Sequence, residues 1–133
     1  LEVNRLTVPG ESREICIRDM KELVESLNLK SNVKVELGDP YYDPYEIRAE
    51  EPIVQAVRNS FGQITGQMPE AVYVRSIMDS NVFCGEGGIP TAIFGPSGEG
   101  SHEADEYVNL ESLVPTMRMY VLTALNYLQL MQR

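Results

Sequence analysis

The sequence predicts an α/β protein, because short alternating or β-branched runs interleave with longer segments whose apolar residues recur every three or four positions. Two further observations sharpen this. Strand-sized, helix-sized and strand-sized runs fill residues 1–37 in that order, which is the size of a βαβ unit. A glycine-rich loop follows the last short apolar run, and open parallel sheets place ligands at such loops.

The elements follow in order. LEVNRLTV, residues 1–8, reads as a strand, and Pro9-Gly10 stops it. Glu11 to Leu27 carries Cys16, Met20, Leu23, Val24 and Leu27 on one helical face, and Asn28 helps to close it. Asn32 to Leu37 alternates apolar and polar, a second strand. Gly38-Asp-Pro40 breaks the pattern, and the tyrosine- and acid-rich stretch that follows is a connector, so a domain boundary falls near residues 38–50. Tyr41, Tyr42 and Tyr45 read as packing residues. Glu50 to Thr65 predicts a helix with Pro52 in its first turn, an apolar face of Ile53, Val54, Val57, Phe61 and Ile64, and Gly66 at its end. Ala71 to Arg75 and Ile89 to Phe94 predict strands, with a short helix from Asp79 to Phe83 between them. GPSGEGSHEADE, residues 95–106, is the glycine-rich loop. Asn109 is a candidate N-cap for the last helix, whose main body is expected after Pro115. Leu110, Leu113, Val114, Met117, Val121, Leu125 and Leu128 keep helical spacing and predict its core face.

Composition bounds the function. The 133 residues allow one domain or pieces of two, and 43% hydrophobic content suffices for a core. Eleven basic against 20 acidic residues give a net charge of −9, which argues against nucleic-acid and anionic-lipid partners. No apolar run approaches the roughly 20 residues of a membrane span. Cys16 and Cys84 stand far apart without CxxC partners, so a reducing cytoplasm is the simpler expectation. The chain begins Leu-Glu-Val, without Met or a signal-peptide pattern, and reads as an internal piece.

His102 is the single histidine. It is either a surface residue beside a carboxylate or a metal ligand, because neutral imidazole binds zinc well and a carboxylate behind it fixes the tautomer. A zinc site ordinarily takes three or four protein ligands, so one histidine must borrow the others. The Gly95–Gly100 run lacks the Gly-Lys-Ser/Thr ending of a phosphate cradle, and Glu99, Glu103 and Asp105 would repel an anion. Its glycines instead allow a sharp turn or close backbone approach. Asp79 is a helix N-cap or a residue that orients a ligand. Arg5 is a solvated strand residue or a bidentate clamp for a carboxylate. Ser101 beside His102 makes a poor hydrolase triad, and Cys84 has no second histidine to activate it.

Three segments together resemble one family. NRLTVPGES resembles the strand-turn of the small inserted domain in the di-zinc amidohydrolases that include acetylornithine deacetylase, succinyl-diaminopimelate desuccinylase, aminoacylase and the carboxypeptidase G enzymes. MDSNVF resembles that family's Thr-Asp-Ala segment, with Met78 at the threonine position. GIPTAIFGPSGEGSHEADEYVNLESL resembles its closing segment, in which a histidine after the Gly-Pro loop binds zinc. The resemblance implies that His102 is a metal ligand, that Glu106 supports the loop, that Gly95 borders the substrate pocket, and that Arg5 is the candidate carboxylate clamp. The family's Asp-x-Arg aligns with Asn4-Arg5-Leu6, one residue out of register. It implies residues 1–40 as the end of an inserted βαβ-type dimerisation domain, and 41–133 as the C-terminal part of a helix-covered, mostly parallel catalytic sheet. The family's His-x-Asp, bridging aspartate and catalytic Glu-Glu pair do not occur in this sequence. Glu50-Glu51 matches a different part of the pattern.

The expected function is therefore that of a fragment of a zinc-dependent amidohydrolase, inactive alone, acting as a homodimer on N-acyl amino acids or short peptides. Two zinc ions are implied, with cobalt or manganese as substitutes. The alternative is a stand-alone α/β binding or interaction module, or a metal-free regulatory domain for a small amino acid.

Overall fold

In the computed structural model, which describes residues 1–131, three helices form where apolar spacing predicts them. The chain divides into two units, Leu1–Glu46 with Arg75–Ile89, and Ile47–Val74 with Pro90–Arg133.

The first unit is built on α1, Arg13–Ser26. Its N-cap is Ser12, whose hydroxyl accepts the Ile15 N–H at 3.4 Å. Asn28, at φ 46°, turns left-handed just past the end, and its N–H returns to the Glu25 carbonyl at 3.2 Å. Ahead of the helix, Val8-Pro9-Gly10-Glu11 is a tight turn, with Gly10 at φ 95° and Glu11 N–H bonded to Val8 O at 3.0 Å. The Glu11 carboxylate then accepts the Val8 N–H at 3.0 Å, and Arg5 bridges it to Asp19 on α1. Arg13 lies over the Tyr41 ring, 4.3 Å from its centroid, so Tyr41 packs as expected. A six-residue π-helical turn, Asn81–Glu86, occupies the place of the predicted short helix. The capping contact at its start comes from Asn81, whose Oδ1 accepts the Met78 N–H at 3.0 Å. Asn81 also donates to the Asp43 carbonyl at 3.2 Å, and a Cβ at Gly85 would lie 2.7 Å from that same oxygen.

The Val8 N–H, assisted by Arg5, holds the Glu11 carboxyl below the ordinary carboxylate range, and Arg18 with Arg5 does the same for Asp19. A depressed carboxyl adds stability that is present above its unfolded value and lost as pH falls through its folded value. The Val8 amide resonance is therefore expected to hold steady between about pH 6 and 8 and to shift only below the usual carboxylate range. A transition at or above that range would contradict the arrangement.

The second unit pairs α2, Pro52–Thr65, with α3, Leu110–Met131. Pro52 opens α2 and Gly66 closes it at φ 74°, its N–H bonded to Gly62 O at 2.9 Å. Ala56 and Ser60 are fully buried, small enough for close helix approach. Ser60 donates to Ala56 O at 2.7 Å and accepts from Asn126 at 3.0 Å, so the buried hydroxyl is satisfied. Met119, Thr116 and Thr123 are buried on α3. This corrects the expected core stripe: Leu110, Val114, Met117, Val121, Leu125 and Leu128 are all exposed. Two threonines and a methionine are buried instead, and Asn126 reaches the small Ser60 of α2. α3 also starts earlier than expected and carries Pro115 inside. Asn109 caps it, accepting the Glu111 N–H at 2.9 Å, and this cap with the burial of Thr116 and Met119 offsets the one bond Pro115 cannot make.

Mixed α/β structure stands, but the expected parallel sheet does not form among the described residues. The sheet there is a two-stranded antiparallel hairpin, β1 Gly98–Glu99 with β2 Tyr107–Val108. The four predicted strands at 1–8, 32–37, 71–75 and 89–94 enter no ladder. A strand exists only by pairing, and β-branched composition records fitness for a pleated half-buried surface without supplying the neighbour. Val72, at 78% exposure, shows the result. The chain exposes 10649 Å², whereas even two independent bodies of half the mass would expose about 8,500 Å². Large apolar side chains, Val72, Tyr73 and Ile89 among them, are thus left exposed. No described helix is long and apolar enough to cross a membrane.

Candidate metal centre

His102 sits in the loop of the β1–β2 hairpin. The sequence builds this hairpin in three ways. Gly98 allows close strand approach, since a Cβ there would strike the Tyr107 carbonyl oxygen. Gly100, His102 and Asp105 take left-handed φ of 75°, 65° and 62°, which turns the chain back sharply. The Glu103 N–H then closes on Gly100 O at 2.8 Å. The glycines therefore serve turning and backbone approach, as expected, although the segment forms a hairpin and not an open loop.

The base of the hairpin is fixed to α3. Asn109 N–H bonds to Ser97 O at 2.8 Å, and Ser97 N–H bonds to the Ser112 hydroxyl at 3.0 Å. Just before it, the Tyr120 hydroxyl donates to Phe94 O at 3.2 Å, with the two rings 4.8 Å apart. Gly95 follows, exposed, and a Cβ added there would come within ordinary contact range of that hydroxyl.

At the tip, the His102 backbone N–H points to Glu106 Oε2 at 3.4 Å. The imidazole itself is exposed and makes no hydrogen bond or ion pair with the described residues. Glu99, Glu103, Asp105 and Glu106 share the hairpin with it, all exposed, so the segment as a whole is acidic and attracts cations more than anions. A shallow depression lined by Pro96, Gly98, Glu99, Ser101, Glu106 and Tyr107 runs along the hairpin. A second, at the C-terminal end of α2, has no titratable side chain in its wall.

The donor set decides what this arrangement can hold. His102 offers one free ring nitrogen of the type zinc takes. Among the described residues, no three of His, Cys, Asp and Glu cluster closely enough to hold a metal ion. His102 thus offers a single nitrogen donor, and the described residues do not by themselves complete a metal site around it.

The remaining candidates lie in the first unit. Arg5 donates from both terminal nitrogens to Asp19 at 3.2 Å, and to Glu11. In this state its guanidinium clamps the turn to α1 and is already engaged by two carboxylates. Asp79 stands at the first helical turn before Asn81. Cys16 is buried and Cys84 half-buried, both as free thiols. Sequence reasoning missed Ser112, Ser97 and Tyr120, which anchor the hairpin. Only Ser112 carried a signal, three residues after the N-cap Asn109, where side chains commonly return to the cap.

No curated protein and no solved structure matches the chain. A family model for peptidase family M20/M25/M40 matches residues 5–126, nearly the whole chain, including the turn, α1, α2, most of α3 and the hairpin with His102. The chain belongs to peptidase family M20/M25/M40, hydrolases of peptide and amide bonds that work as metallopeptidases.

Proposed function

We propose that this chain is the metal-presenting C-terminal part of a zinc-dependent amidohydrolase that cleaves the amide bond of N-acyl amino acids or short peptides. The family match over residues 5–126 carries the reading. The free imidazole in a pinned hairpin loop supports it, as a nitrogen donor suited to zinc. The uncovered apolar surface, and the lack of a three-ligand cluster among the described residues, support a catalytic set completed by residues outside this sequence. On this reading the chain alone is inactive.

Bound zinc supplies the Lewis acidity that activates water and polarises the scissile carbonyl. His102 holds its share of the metal through the ring. Glu106 accepts the His102 amide and keeps the loop turned. Gly95, beside Tyr120, borders the substrate. Arg5 grips a substrate carboxylate only by exchanging it for Glu11 or Asp19. The same reading takes residues 1–40 as the end of a dimerisation domain pairing two copies, and 41–133 as the end of a catalytic domain whose sheet recruits 71–75 and 89–94. Its compartment is the cytoplasm, in keeping with free thiols.

The test has two arms. Equilibrium dialysis of the 133-residue chain with zinc should show only weak binding; a tight stoichiometric complex would contradict the incomplete ligand set. The complete enzyme should release free amino acid from N-acyl amino acids, lose that activity to a chelator and regain it with zinc. Turnover indifferent to chelation would sink the proposal.

A further inference from the structure

We propose that Ser112 is a positioning residue for His102, a role that rests on the metal-ligand reading above. In an antiparallel ladder, a hydrogen-bonded pair exchanges two N–H···O bonds. Ser97 and Asn109 are the next such pair below β1 and β2, and one of their two bonds is present: Asn109 N–H to Ser97 O at 2.8 Å. The reciprocal bond is replaced, because Asn109 is also the N-cap of α3. Its carbonyl accepts the Ser112 N–H at 3.0 Å and has turned into the helix.

The Ser112 hydroxyl fills the gap. It accepts the Ser97 N–H at 3.0 Å and donates to Asn109 O at 2.7 Å. One side chain thus relays the lost ladder bond and ties both strands to the first turn of α3. The hairpin has only two residues per strand, too short to hold its own register. Its loop also holds His102 and Asp105 in left-handed conformations that a free chain would relax. The relay at the base, with the Glu106 contact at the tip, holds the backbone that carries the imidazole. Without Ser112, the Ser97 N–H loses its partner and the hairpin is joined at its base by a single bond.

The test compares wild type, Ser112→Ala and Ser112→Thr in the full chain by NMR. The conservative variant keeps a hydroxyl, so it should keep the relay. In Ser112→Ala, order parameters of the His102 and Glu103 amides should fall from the rigid range near 0.85 to below about 0.6, with α2 amides unchanged. Zinc titration read at the His102 ring resonances should need roughly tenfold more zinc in Ser112→Ala and return toward wild type in Ser112→Thr. Unchanged His102 and Glu103 amides in Ser112→Ala would overturn the proposal, as would equal loosening in both variants or loosening that spreads into α2. A wild-type ring blind to zinc would instead overturn the metal-ligand reading, while the amide comparison still decides the role of Ser112 in fixing the loop.

Discussion

His102→Ala in the complete, zinc-loaded enzyme is expected to lower turnover by more than the roughly 10–100-fold that loss of an outer-shell partner costs, without changing the thermal midpoint. The two halves of this expectation have separate origins. The ring is exposed and unpartnered, so its removal takes away no packing and no hydrogen bond. The left-handed backbone at position 102 suits alanine no better than histidine, so the loop is not relieved in a way that reshapes it. What disappears is a nitrogen donor. His102→Gln, which keeps length and polarity but offers a weaker ligand, should rescue little. Near-normal turnover in His102→Ala would remove the residue from the metal centre.

Gly98→Ala should nearly equal that loss of activity by a different route. The added methyl has no room, because it meets the Tyr107 carbonyl across the strand pair. Backbone on both sides of the contact prevents the relief a flexible side chain would give. The pairs Gly98–Val108 and Glu99–Tyr107 must open, and the loop between them moves. A shift of about 1 Å at a catalytic group can cost roughly 10²-fold in rate, so loss on that order is expected, with weakened zinc binding. Gly38→Ala is the control: nothing lies within 4 Å of its added Cβ and its φ is not left-handed, so it should be silent. Equal behaviour of the two variants would mean that the hairpin does not set the position of His102.

The contrast between what the sequence foretold and what formed follows the range of the interactions. α1 and α2 were legible to within two residues because their stop signals are local: Asn28 and Gly66 end them through bonds reaching back three or four residues. Asn109 as a cap was legible for the same reason. Strands at 1–8, 32–37, 71–75 and 89–94 were not, because a ladder needs a neighbour that propensity cannot supply. The buried face of α3 is not legible because periodicity finds the most apolar stripe, whereas the residues buried there are Thr116, Met119 and Thr123, with Asn126 bonded to the fully buried Ser60 of α2. At the site, His102 stood out as the lone imidazole among glycines and acids. The hairpin that carries it was hidden, since two residue pairs leave no hydrophobic pattern and depend on Gly98 and Ser112.

The most direct measurement is a zinc-soaked crystal of the complete enzyme, with the metal located by anomalous scattering. A zinc peak about 2.0–2.1 Å from a ring nitrogen of His102 is the predicted result. Zinc bound in the enzyme with the His102 ring turned away from it would contradict the account.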